Sequence, residues 1–133
     1  MNELVSKVTA IESSDSLTLV YFEFERAKLV MMSLEMGDSL NVGDKVVLSV
    51  KSTAIFIQKE SAFKHLAANR LKAKIKKISN AKLLSSLQLQ VAQTVLESVM
   101  IQKDVRMLNL KEGDEVDLYF LASELFVKKV FDD

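Results

Sequence analysis

An internal repeat is the feature that most restricts the fold of this chain. The segment that begins at Asn2 aligns with the segment that begins at Asn69, an offset of 67 residues (2 against 69). Further along, the turn at Gly43 aligns with the turn at Gly113, an offset of 70 (43 against 113). A repeat of this kind indicates two copies of one supersecondary unit whose apolar faces cover each other.

The repeat divides the 133 residues into two units of similar length. We place the first unit at residues 1–60, a linker with the opening element of the second copy at 61–68, and the second unit at 69–133. A unit of this size is small for an independent hydrophobic core, because small domains bury a lower fraction of their surface. We therefore expect the two units to pack on each other or on another subunit.

The local pattern of both copies is typical of β-strands. In the second copy Leu71, Ala73 and Ile75 alternate with lysines, which predicts a strand with one buried face and one wet face. The segments after each glycine turn are rich in β-branched and aromatic residues, which favour strands. Residues 103–108 are predicted to form a short helix. The predicted class is all-β, with two tandem small barrels of the oligonucleotide/oligosaccharide-binding (OB) type, each of about five strands with a short helical turn.

The composition excludes several classes of function. The chain has no cysteine and a single histidine, His65, which excludes disulfides, thiolate metal sites and histidine clusters. Basic and acidic residues both number 18, so the net charge of zero argues against a surface built as a whole for nucleic acid or anionic lipid. No catalytic motif is present, so we expect no enzyme. No apolar stretch approaches the length of about 20 residues that a membrane-spanning helix needs, and the sequence shows no signal peptide. We therefore expect a cytoplasmic protein without membrane insertion.

The region around residues 19–24 of the first copy is apolar on both faces. Val20, Phe22 and Phe24 alternate with Leu19 and Tyr21. Since one face is enough for the core of a unit, we expect the other to form an interface between units or subunits. The alternative is a larger core.

Motifs at the start and end of each copy resemble those of the molybdate-binding Mop family, whose units are also called TOBE domains. Leu108–Val116, followed by a strand and by Ala122–Val127, resembles the end of such a unit. Ala67–Ile75 resembles the opening Ser-Ala-Arg-Asn-x-Leu-x-Gly-x-Val of the family. The first copy keeps the asparagine and leucine of the opening, Val42-Gly43-Asp44 of the turn and Lys51–Ile55 of the close. The resemblance covers nearly the whole chain.

This resemblance implies a molbindin-like pair of units that binds molybdate or tungstate as an oxyanion, with no organic cofactor and no directly ligated metal. It implies a cytoplasmic protein for storage, buffering or delivery linked to molybdate transport, with transporter components as possible partners. Because the sites of the family form between units, it also implies a homo-oligomer, a trimer as the first expectation and a dimer as the second. Nucleic acid is not expected to bind, because no aromatic residue lies between Phe63 and Tyr119.

The resemblance also assigns the oxyanion site. Eight residues match the opening and closing elements of the family: Lys51, Ser52, Thr53, Ala67, Ala68, Asn69, Ala122 and Ser123. A tetrahedral dianion needs several hydrogen-bond donors and positive charge. Lys51, Ser52 and Thr53 would supply the charge and hydroxyl groups, and the opening element would supply backbone N–H groups.

Some positions depart from the pattern of the family. The opening serine and arginine fall on Leu66 and Ala68, and Met1 stands at the arginine position of the first copy. The closing lysine of the second copy falls on Leu121. The candidates to replace the missing charge are Lys64, His65 and Arg70. The alternative to an oxyanion carrier is therefore a protein-interaction module that keeps the fold and has a degenerate anion site.

Overall fold

The computed structural model of the chain describes residues 2–34, 40–59 and 67–131. These residues form ten strands, one short helix and two 3-10 turns. The strands are β1 (Asn2–Ser14), β2 (Leu17–Phe24), β3 (Ala27–Ser33), β4 (Lys45–Val50), β5 (Phe56–Gln58), β6 (Asn69–Asn80), β7 (Leu84–Val91), β8 (Thr94–Ile101), β9 (Glu115–Phe120) and β10 (Leu125–Val130). The helix α1 spans Gln102–Met107, and the 3-10 turns span Ser52–Ala54 and Ala122–Glu124. The helix predicted at 103–108 is therefore present, one residue earlier at each end.

The strands form two antiparallel five-stranded sheets that exchange one strand with each other. The first sheet has the order β10-β4-β1-β2-β3, and the second has the order β5-β9-β6-β7-β8. The last strand of the first copy, β5, pairs with β9, and the last strand of the second copy, β10, pairs with β4. The predicted all-β class with two five-stranded units and a short helix is confirmed. The proposed boundaries at 60 and 69 separate the two sequence copies, whereas each sheet combines strands from both copies.

The long strands β1 and β6 show the alternation expected from the sequence. In β6 the side chains of Leu71, Ala73 and Ile75 are buried, while the lysines between them are exposed. The same pattern runs through β1 from Asn2 to Val8. In each strand every second side chain therefore points into the core, as period-two alternation requires.

The glycine turns pack against bulges in these long strands. A bulge follows Val8 in β1, and another follows Ile75 in β6. The Gly43 N–H donates to the Val8 carbonyl at 2.8 Å, and the Gly113 N–H donates to the Ile75 carbonyl at 2.7 Å. Both glycines have positive φ angles, +98° and +92°, which glycine adopts without the strain that a Cβ would cause. The aspartate after each glycine accepts a hydrogen bond from the backbone N–H three residues earlier, so the shared Gly-Asp pair has a structural role.

One hydrophobic core joins the two sheets. The cluster of buried side chains runs from Leu4 and Phe22 in the first sheet to Leu118 in the second. The exchanged strands contribute Ile57 from β5 and Leu125 from β10. The expectation that the two units pack on each other is therefore confirmed, and the exchange ties their cores together.

Candidate functional site

The predicted closing element of the first copy, Lys51–Thr53, lies at the end of β4. The last residue of β4, Val50, is opposite Asn2 of β1, so the element lies beside the opening residue of the same copy. The Lys51 side chain is exposed. Ser52 begins the 3-10 turn, and its hydroxyl donates to Oε1 of Glu97 at 3.1 Å. The element therefore contacts β8 of the second copy rather than standing free in solvent.

Glu97 is the centre of a polar group that the sequence analysis missed. Its two carboxylate oxygens accept hydrogen bonds from the hydroxyls of Ser52, at 3.1 Å, and Ser86, at 2.9 Å. Its backbone N–H donates to Oδ1 of Asn2 at 2.7 Å, and its backbone carbonyl accepts from Nδ2 of Asn2 at 2.9 Å. No motif connects these residues, since Asn2 and Glu97 are 95 positions apart. We call the following residues the first cluster: Asn2, Lys51, Ser52, Thr53, Ser86 and Glu97.

The other five predicted residues lie at the equivalent end of the second sheet: Ala67, Ala68, Asn69, Ala122 and Ser123. Asn69 of β6 is opposite Phe120, where β9 ends before the second 3-10 turn. The buried Asn69 side chain accepts from the Val30 N–H at 2.7 Å and donates to the Val30 carbonyl at 2.9 Å. Asn69 therefore links the second copy to β3 of the first, as Asn2 links the first copy to β8. The structure thus divides the eight predicted residues into two separate sets, one of three residues and one of five.

The repeat relates these two sets position by position, and their chemistry differs. The positions equivalent to Lys51, Ser52, Ser86 and Glu97 are all apolar in the second set. They hold, in the same order, Leu121, Ala122, Leu19 and Val30. We call these four residues, together with Ala67–Asn69 and Ser123, the second cluster. Its closing element has the exposed Ser123 hydroxyl but no cation.

The apolar residues of the second cluster continue into the outer face of β2 and β3. The side chains of Val20, Phe22 and Phe24 are buried in the core. The alternating residues form what we call the apolar face: Leu17, Leu19, Tyr21, Val30, Met32 and Leu34. Of these, Met32 is 38% and Leu34 is 68% exposed. The second apolar side of β2 therefore lies outside the core of this chain, where it can contact a partner.

The candidates to replace the missing cation are only partly within the described residues. The Arg70 guanidinium forms an ion pair with Asp117 at 3.2 Å, on the side of β6 opposite the core. Arg70 therefore already neutralises a carboxylate. The other positions that the sequence analysis singled out lie outside the described residues: Met1, Lys64, His65 and Leu66.

A groove of about 1020 Å³ on the second sheet is lined by three lysines and two acidic residues. The Lys59 ammonium donates to the Asn109 carbonyl at 2.6 Å and lies 3.1 Å from the Asp114 carboxylate. The pKa of Asp114 is lowered, first by the backbone N–H of Lys111 and then by Lys59. The other two lysines of the groove are opposite acidic residues on β9. Lys59 is therefore already paired, whereas the acid opposite Lys72, Asp117, is the one that pairs with Arg70.

Residues 2–34, 40–59 and 67–131 contain neither a candidate metal site nor a candidate membrane span. No group of three or more histidine, aspartate or glutamate side chains there could hold a metal ion. No helix there is long and apolar enough to cross a membrane.

Comparison with known proteins identifies the fold. No protein-family model and no curated protein matches the sequence. The structure is similar to a crystal structure of the cytoplasmic molybdate-binding protein ModG with molybdate bound, with a TM-score of 0.88 and 23% sequence identity. The match covers 95% of this chain and 94% of that one. The Mop resemblance implied a similarity to molybdate-binding proteins, and the structural comparison finds that similarity. This chain has the fold of ModG.

Proposed function

We propose that this protein binds molybdate or tungstate in the cytoplasm, for storage, buffering or delivery linked to molybdate transport. The observation that supports this proposal most strongly is the similarity, over 95% of the chain, to a protein whose structure contains bound molybdate. The sequence motifs of the opening and closing elements point in the same direction. The proposed activity is binding, and no bond of the ligand is formed or broken.

The first cluster is the better candidate for the oxyanion site. Lys51 would supply positive charge, and the hydroxyls of Ser52 and Thr53 would donate hydrogen bonds to the oxygens of the ion. Molybdate arrives with its metal already surrounded by oxygen, so the protein needs donors and charge rather than metal ligands. The second cluster would contribute the backbone N–H groups of Ala67 and Ala68 and the hydroxyl of Ser123, without a cation.

We also propose that the protein is a homo-oligomer, with a trimer as the first expectation and a dimer as the second. The apolar face supports this proposal, because half-buried leucine and tyrosine side chains beside the exposed Met32 and Leu34 are typical of contacts between subunits. Transporter components remain proposed partners. Light scattering coupled to size exclusion, with and without molybdate, measures the subunit number directly. A monomer under both conditions would refute the oligomer.

The second candidate function is a protein-interaction module that retains the fold. Two observations favour it. The Glu97 carboxylate already accepts the hydrogen bond that the Ser52 hydroxyl could donate to an anion. The closing element of the second cluster also has Leu121 where the first has Lys51. A charge-assisted hydrogen bond contributes about 1.5–3 kcal/mol, so losing one weakens binding about ten- to a hundred-fold.

Calorimetric titration with molybdate, tungstate and sulfate separates the two functions. An oxyanion carrier gives micromolar or tighter binding of the first two ions, at about −8 kcal/mol or better, and rejects sulfate. Lys51→Ala should then weaken binding about ten- to a hundred-fold. Lys82→Ala, at an exposed lysine of the β6–β7 turn, is the matched control and should leave the affinity unchanged. No heat with any of the ions would favour the interaction module.

A further inference from the structure

We propose that the Glu97 carboxylate is a built-in competitor for the oxyanion at the first cluster, so that a dianion binds there only by displacing it. This inference rests on the proposed function, and it adds a residue that sets the affinity and charge preference of the same site. Glu97 lies on β8, outside the motifs that suggested the site.

The hydrogen bonds of the first cluster are the first argument. A serine hydroxyl has one proton to donate. The Ser52 proton is directed at Oε1 of Glu97 and the Ser86 proton at Oε2. While these bonds persist, neither hydroxyl can donate to an oxygen of a bound ion. The carboxylate therefore takes the place that an anion would take toward these two donors.

The attachment of Glu97 is the second argument. Its backbone N–H and carbonyl are both bonded to the side-chain amide of Asn2, which holds this part of β8 in place. The side chain itself is exposed. Its carboxylate can therefore leave Ser52 and Ser86 by rotating into solvent, without a change in the backbone. Competition at this site needs only a change of rotamer.

The asymmetry between the copies is the third argument. At the second cluster, Glu97 is replaced by Val30. The two hydroxyls that hold its carboxylate are replaced by the apolar side chains of Ala122 and Leu19. The carboxylate and both of its donors are thus present together in one copy and absent together in the other. This pattern points to one functional group rather than three independent surface residues.

Charge gives the expected size of the effect. Molybdate carries two negative charges, and each is repelled by the carboxylate, while Lys51 attracts both. At a separation of about 4 Å and the dielectric constant of water, removing the repulsion between one carboxylate charge and two ligand charges should strengthen binding about thirty-fold. The effect should be smaller for a monoanion, because the repulsion scales with the charge of the ligand.

The test is calorimetric titration of the full chain with molybdate, for the native protein and for Glu97→Gln, which keeps the size of the side chain and removes its charge. Asp104→Asn, at an exposed acid on α1, is the matched control for the loss of one negative charge. Thermal unfolding verifies that each variant is folded. If Glu97→Gln does not fold, Glu97→Ala replaces it, and its molybdate affinity is compared with that of the native chain in the same way.

Each result has a defined meaning. Binding that is at least ten-fold tighter in Glu97→Gln, with Asp104→Asn like the native chain, supports the inference. Equal or weaker binding in Glu97→Gln overturns it, and if the native chain still binds molybdate, the proposed function stands. Binding by Glu97→Gln alone supports the inference and overturns the function proposed for the native chain. No binding by either protein overturns both.

Discussion

The substitution Asn69→Ala tests whether the opening asparagine holds the two copies together. The buried Asn69 amide pairs with both the N–H and the carbonyl of Val30. Alanine would leave both backbone groups without a partner, at about 1–3 kcal/mol for each buried group. Val30 is only partly buried, so water can reach part of this site. We therefore expect the free energy of unfolding to fall by about 2–4 kcal/mol.

Urea unfolding followed by circular dichroism measures this loss, and a thermal scan should show a midpoint about 8–16 °C lower. Ser123→Ala is the control, because Ser123 is exposed at the same end of the sheet. Its unfolding free energy should stay within about 0.5 kcal/mol of the native value. An Asn69→Ala variant as stable as Ser123→Ala would refute the structural role of the amide. If the variant is instead unstable but keeps its anion affinity when folded, Asn69 is a positioning residue and does not touch the ligand.

Three further predictions follow from the fold. Gly113→Ala should lower the unfolding free energy by about 1–2 kcal/mol, because alanine is strained at a φ of +92° although its Cβ has free space; equal urea midpoints would contradict this. Ile57→Ala should cost about 2–5 kcal/mol in the same assay, because this exchanged-strand side chain is buried; a change below about 1 kcal/mol would argue against the exchange. The pKa of Asp114 is lowered from its ordinary value of 3.8, so the stabilisation from its carboxylate is present at neutral pH and is lost as the pH falls below 3.8. The difference in urea midpoint between the native chain and Asp114→Asn should therefore shrink in acid. A difference that stays constant with pH would show that the carboxylate charge is not involved.

The sequence by itself determined the class of the fold and much of its local geometry. The alternation of Leu71, Ala73 and Ile75 with lysines specifies which side of β6 is buried, because successive side chains of a strand point to opposite faces. The repeated Gly-Asp pair specifies a turn with positive φ, because glycine alone adopts that conformation without strain. The repeat itself specifies two units of the same kind. These features depend on neighbours in the chain and on contact with water, so they can be read from residue order.

The tertiary structure alone decided which strands pair across the repeat and what the candidate site contains. The residues of β5 and β10 favour strands, but they do not show that each strand follows a 3-10 turn and joins the edge of the sheet of the other copy. The sequence motifs identified Lys51 and Ser52, but not the Glu97 carboxylate, which lies 45 residues from Ser52 and faces it only because β8 packs against the first copy. Asn69 matched a binding motif, yet its amide is used between the copies. Contacts of this kind arise when two sheets close around one core, and no local pattern of residues encodes them.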